Sequence, residues 1–206
     1  QVTRCHCCAR EAMFFFDWLL GLLAKLGLRN RQARILLLGL DNAGKTTFIH
    51  KLRYGVVRSF VPTVRARTET FTLGQTEFTA WDLGGHEAVR ELWQDYFTEV
   101  DGVVFVVDSS DVSRFREAQY ELSQVLKSPN TADTPIAILG NKSDVKTTVS
   151  REELIAYLQL NPAEMVVDPA TMDEKTRAIN VFKCSLLEGS GYQEALQWLV
   201  NAMGSV

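Results

Sequence analysis

Residues 33–46 read ARILLLGLDNAGKT. Ala33 to Leu40 form a run interrupted only by Arg34, the pattern of a strand buried on both faces. Gly39 to Thr46 match G-x-x-x-x-G-K-[ST], and a helix is expected from about Lys45 to Arg53. That motif has a physical meaning only between a strand and a helix, and this one lies there. Backbone N–H groups of such a loop, with the helix N-terminus behind them, wrap phosphate oxygens. Lys45 is expected to reach the β/γ-phosphates and the Thr46 hydroxyl to bind magnesium (Mg²⁺). A chance glycine-rich turn would need neither neighbour.

Three further motifs follow at predicted strand ends. Asp82-Leu83-Gly84-Gly85 ends the second arm of a hairpin, TETFTLGQTEFTAWD, which alternates by two around Gly74-Gln75. An aspartate there can hold Mg²⁺ through water, and Gly85 can bring an N–H to a γ-phosphate. Asn141-Lys142-Ser143-Asp144 follows the run PIAILG. Its aspartate can accept from guanine N1–H and N2–H₂ together, a donor pair that adenine lacks. Asn141-Lys142-Ser143 also fits the N-x-S glycosylation pattern, which a cytosolic nucleotide site would never expose to that machinery. Cys184-Ser185-Leu186 follows the last predicted strand, where the N–H of Ser185 or Leu186 can meet guanine O6.

The remainder of the body alternates strand and helix. GVVFVVD (102–108) and PIAILGN (135–141) read as buried strands, and INVFKCS as the last one. SRFREAQYELSQVLKS, EELIAYLQL and GYQEALQWLVNAM read as helices. This order predicts an α/β fold, a six-stranded mostly parallel sheet with helices on both faces. Residues 161–177 form the longest irregular stretch and read as a surface insertion. The chain has 206 residues, with Lys+Arg 22 against Asp+Glu 25 and a net charge of −3. That balance lacks the basic footprint of a nucleic-acid binder, and the length suits one domain with a full core.

The N-terminus reads differently. The first methionine is Met13, and Cys5, His6, Cys7 and Cys8 crowd the leader before it. C-x-C-C is not zinc spacing, and residues 1–12 read as a non-native or disordered leader. Residues 13–28, MFFFDWLLGLLAKLGL, are too short for a span of about 30 Å. On a helical wheel Asp17, Gly21, Ala24 and Lys25 make one narrow stripe. Phe15, Phe16, Trp18, Leu19, Leu20, Leu22, Leu23 and Leu26 fill the opposite arc, with Phe14 at the end. Such a helix can lie in a membrane interface, with Arg29, Arg31 and Arg34 near anionic headgroups, or pack on the protein's own core. Residues 29–206 then form the globular domain.

With these residues in view, the chain resembles a Ras-superfamily small GTPase, of the P-loop small GTPase fold. GLDNAGKTT and WDLGGHE are similar to the ADP-ribosylation-factor branch. MFFFDW without a glycine after Met13, His86 after DLGG, and the insertion before VFKCSLLEGSGYQEALQW resemble the Sar family, GTPases of coat protein complex II (COPII). The resemblance implies a GTP/GDP switch with Mg²⁺. It implies GTP contacts from Asp41, Asn42, Ala43, Gly44, Lys45, Thr46, Thr47, Gly85, Asn141, Lys142, Asp144, Ser185 and Leu186. It implies Mg²⁺ held by Thr46, Thr63 and Asp82, and His86 as the catalytic residue orienting the attacking water. The hairpin would slide in register with GTP and release the 13–28 helix. Phe14, Phe15, Phe16, Trp18, Leu19, Leu22, Leu23 and Leu26 would then enter the lipids of the endoplasmic reticulum membrane. Implied partners are the inner COPII coat subunits as GTPase activator and an exchange factor in that membrane. The implied place is the membrane's cytoplasmic face, cycling with cytosol, in endoplasmic-reticulum-to-Golgi transport. The other readings are an ADP-ribosylation-factor-like GTPase at another membrane and a GTP-binding scaffold with negligible hydrolysis.

Overall fold

The computed structural model describes residues 32–57, 67–73, 76–82, 93, 97, 100–166, 168–171 and 177–204. The leader, the 13–28 segment, Thr63, Gly85 and His86 lie outside them. Among the described residues, six strands form one sheet: β1 (Gln32–Leu38), β2 (Arg67–Leu73), β3 (Thr76–Asp82), β4 (Gly102–Asp108), β5 (Ile136–Asn141) and β6 (Ile179–Lys183). Their order is β2-β3-β1-β4-β5-β6. β1 runs parallel to β3 and β4, β4 to β5, and β5 to β6, while β2 and β3 form the antiparallel hairpin across residues 74–75. The mostly parallel six-stranded sheet expected from the alternation is therefore present.

The apolar runs of β1, β4 and β5 bury both faces because successive side chains point to opposite sides. Ile35, Leu37, Val104 and Val106 share one core with α1 (Lys45–Tyr54) and α4 (Tyr192–Gly204). Leu36, Leu38, Phe105 and Val107 share the other with α2 (Phe115–Lys127) and α3 (Arg151–Tyr157). Phe48 of α1 meets Tyr192 of α4 edge to face at 6.3 Å between ring centres, which joins the two helices of the first layer.

Two details depart from the sequence reading. The helix expected over EELIAYLQL ends at Tyr157. Gln159 turns left-handed (φ 54); its N–H donates to Ala156 O and that of Leu160 to Ile155 O. This closes the helix in a Schellman turn and returns Leu160 to the second core. The 161–177 stretch is also not wholly a surface feature. The Val166 N–H donates to Ile179 O at 2.9 Å, and Trp198 Nε1 donates to Val166 O at 2.8 Å. Met165 and Val166 pack on opposite cores.

Because β1, β3, β4, β5 and β6 all run the same way, their C-terminal ends share one edge. The chain leaves β1 toward β3 on one side and β4 on the other, the switch point where open α/β sheets bind ligands. Register pairs Leu37 with Asp82, Asp108 with Asn141, and Gly140 with Lys183. The loop after β1, Asp82 and the motifs after β5 and β6 therefore lie at that edge.

Candidate functional site

The loop from Gly39 to Gly44 is shaped by backbone conformations that few side chains tolerate. Gly39 has φ 129 and Gly44 φ 109, with Asn42 left-handed between them (φ 61). A Cβ on Gly44 would overlap the Asn141 side-chain amide. Gly44 caps α1 without a side chain, and no acidic residue stands in the first turn. The start of α1 thus presents the positive end of the helix dipole with no acidic side chain of its own first turn. The contrast is α3, whose Ser150 and Glu153 close a capping box. Lys45 is buried (5% exposed), and its ammonium donates to the carbonyls of Gly39 and Leu40, both at 2.8 Å. A buried cation over an uncapped helix end fits a polyphosphate chain, and Thr46 in the first turn fits an accompanying divalent ion.

The motifs after β5 and β6 are tied to this loop. Asn141, at the end of β5 and 4% exposed, donates from Nδ2 to Ala43 O at 2.8 Å and accepts from Leu186 N at 3.2 Å. One amide therefore joins the phosphate loop to the last loop. A side chain so engaged cannot carry a glycan, in agreement with the reading of N-x-S as incidental. The Ser185 hydroxyl donates to Asp144 Oδ1 at 2.6 Å, and the Ser143 N–H to Cys184 O at 3.0 Å. The first bond aims the Asp144 carboxylate, and the second holds the loop that carries it. Of the two N–H groups considered for a guanine oxygen, that of Ser185 is already bonded to Ser190 O at 3.0 Å. That of Leu186 is bonded to Asn141 Oδ1 at 3.2 Å, so both donors are engaged within the protein. Cys184 is fully buried beneath this loop, and burial pushes its thiol up to about 12.

Lys142 adopts φ 64 and extends its ammonium to Asp108 Oδ2 at 2.6 Å. Burial works to raise the Asp108 carboxyl, but hydrogen bonds from Lys142 and Ser110 outweigh it and hold the group below the usual carboxylate range. Asp108 was not among the residues singled out from sequence. As the terminal polar residue of an apolar strand run that pairs with Asn141, it carried a signal. Arg114 was also missed. It donates from one nitrogen to Asp41 Oδ1 at 2.8 Å and from another to Asp41 O at 3.2 Å. Nothing in sequence spacing joins positions 41 and 114.

Asp41, Asn42, Ala43, Gly44, Lys45, Thr46, Thr47, Asn141, Lys142, Asp144, Ser185 and Leu186 thus gather at one edge of the sheet. Asp82 ends β3 at that same edge. Thr63, Gly85, His86 and the eight apolar residues between Phe14 and Leu26 fall outside the described residues. Among the described residues no group of three or more His, Cys, Asp or Glu could by itself hold a metal, and no helix is long and apolar enough to cross a membrane.

Comparison with known proteins agrees with this geometry. Residues 19–203 match the model of the ADP-ribosylation factor family. The chain is 37% identical to the small COPII coat GTPase SAR1 of Giardia intestinalis, over 91% of this chain and 98% of that protein. It is 35% identical to ADP-ribosylation factor 3 of Arabidopsis thaliana, over 85% of this chain and 91% of that one. Among solved structures it is similar to the Arl6 (BBS3) small GTPase of Trypanosoma brucei with the bound nucleotide analogue GppNp. There the TM-score is 0.70 at 29% identity, covering 84% of this chain and 97% of that one.

Proposed function

The chain belongs to the ADP-ribosylation factor family of GTP-hydrolysing small GTPases, and from that premise we propose that it is a GTP-dependent membrane switch that recruits the COPII coat at the endoplasmic reticulum. The observation that carries the switch chemistry is Asn141, whose one amide links the phosphate loop at Ala43 to the base loop at Leu186. Phosphate and base occupancy are thereby felt by the same side chain. The coat reading is supported by the SAR1 relatives and by MFFFDW, His86 and the insertion in this sequence.

In this reading Lys45 and the α1 N-terminus take the phosphates, and Asp144 with the Ser185–Leu186 loop takes the guanine. Asp108 holds Lys142 beside the base loop. Thr46, Thr63 and Asp82 would hold Mg²⁺, which when bound neutralises charge on the β/γ-phosphate oxygens. His86 orients the attacking water, so hydrolysis by the chain alone is slow, and an activator supplies the missing cation. Residues 13–28 form the lipid-seeking helix, residues 29–206 the GTPase domain, and residues 1–12 take no part. The similarity to an ADP-ribosylation factor and to Arl6 favours a second reading, the same switch at another membrane.

Multiple-turnover GTP hydrolysis, with and without inner COPII coat subunits on liposomes, tests the coat reading. The expected result is acceleration of about 10³-fold or more, with GTP-dependent flotation that is lost when residues 13–28 are deleted. Hydrolysis that the coat subunits leave unchanged overturns the coat reading in favour of the second one.

A further inference from the structure

Asp41 places a carboxylate inside the loop that must wrap a polyphosphate. A bare carboxylate there opposes the chemistry of the loop, since like charges repel at this range. The structure answers it with Arg114, which lies 73 residues away at the start of α2. The guanidinium binds the Asp41 carboxylate and the Asp41 carbonyl at once, clasping one residue at two points. Its third nitrogen donates to Glu117 Oε2 at 2.8 Å, within the first turn of α2. Glu117 and Asp41 together hold the guanidinium charge firmly. Arg114 and Asp41 are each 29% exposed, so the pair is partly withdrawn from solvent. On its other flank the loop is gripped by Asn141 at Ala43. Asn42, left-handed and exposed, is strung between the two grips.

We propose that Arg114 is a positioning residue for the triphosphate: it turns the Asp41 carboxylate away from the phosphate chain and neutralises it. The proposal rests on the GTPase reading above. GTP carries more phosphate charge than GDP, so a carboxylate released from its guanidinium penalises GTP more. Arg114 therefore tunes the preference between the two nucleotides and not merely the fold of the loop. A lysine cannot reproduce the role in full, because it lacks the fork that takes carboxylate and carbonyl together.

Dissociation of fluorescent GTP and GDP from the full chain, with thermal melting alongside, tests this. For Arg114→Ala, GTP release is expected to quicken about 3–10-fold more than GDP release, with the excess shrinking at high salt. Arg114→Lys is expected to restore part of the difference. The Asp41→Ala, Arg114→Ala double variant is expected to return the GTP/GDP ratio most of the way to that of the unchanged chain, since the loop's own carboxylate is gone and Glu117, released in both variants, sits on α2 and not in the loop. Equal quickening for both nucleotides, or a double variant no better than Arg114→Ala, overturns the proposal and makes the contact purely structural. If the unchanged chain binds neither nucleotide, the GTPase reading falls and this inference with it, so the two failures are told apart.

Discussion

Gly39 shows how one missing side chain brings β1 into the phosphate loop. Its φ of 129 lies where only glycine is at ease, and a Cβ there would overlap the Val106 carbonyl oxygen of β4. The close approach lets the chain turn straight from β1 into the loop, which puts two carbonyls under the Lys45 ammonium. Gly39→Ala must therefore push β1 from β4 or twist the loop off Lys45. A loss of about 2–4 kcal/mol is expected, seen as a fall in melting temperature of about 5–10 °C together with weaker GTP binding. A variant that melts within about 2 °C of the unchanged chain would show that the backbone relaxes there at little cost. The requirement for glycine at position 39 was legible from the motif, but its cause was not, because Val106 reaches that position only once β1 and β4 are paired.

At the scale of the element, α1 and α3 start in opposite ways, and the difference sorts function from stability. α3 satisfies its own first turn: Glu153 N donates to Ser150 Oγ at 3.1 Å and Ser150 N to Glu153 Oε2 at 2.7 Å. α1 starts from Gly44 with no side-chain cap and no acidic residue in its first turn. Ser150→Ala is accordingly expected to cost about 1 kcal/mol, a shift of about 2–4 °C in melting temperature for a chain of this size, with GTP and GDP release unchanged. A change in nucleotide release would mean that α3 is coupled to the site. The start of α1 was read from G-x-x-x-x-G-K-T, while Ser150 and Glu153, three residues apart, were passed over. Strands were readable because β1, β4 and β5 are apolar on both faces. The end of α3 was not, because Gln159 in a left-handed turn has no glycine to announce it and is chosen by the return of Leu160 to the core. The partial docking of 161–177 was hidden for a similar reason: Trp198, 32 residues on, supplies the bond that holds Val166.

Over the whole molecule, the phosphate loop, the base loops and the first core meet at Cys184, so global stability should carry its signature. The thiol is buried with Leu186 and Ala43 in one cluster, and its Sγ lies 3.8 Å from Asn141 Oδ1. Burial pushes its pKa from about 9 up to about 12. A folded-state pKa raised in this way means that the native protein keeps a proton which the unfolded chain gives up. The stabilisation is complete below about pH 9 and is lost as pH climbs from there toward 12. Tyr192, also raised by burial, acts in the same sense. Lys183, lowered chiefly by burial, acts in the opposite one, so a single stability curve would mix the three. Comparing the unchanged chain with Cys184→Ala brings out the thiol, since Tyr192 and the leader cysteines are common to the two, and Lys183 feels Cys184 only through a thiolate that the folded protein does not form in this range. Denaturant unfolding in reductant from pH 7.5 to 10.5 should show a constant cost of the substitution up to about pH 9. Beyond that, the cost should shrink by up to about 1.4 kcal/mol per pH unit, because the unchanged chain must hold its proton against an ionised unfolded state and the alanine chain need not. Two curves that stay parallel to pH 10.5 would mean that the thiol ionises in the folded protein as it does in the unfolded one. The junction beneath the base loop would then be open to solvent, and the rigid link from Ala43 through Asn141 to Leu186 would lose its dry support.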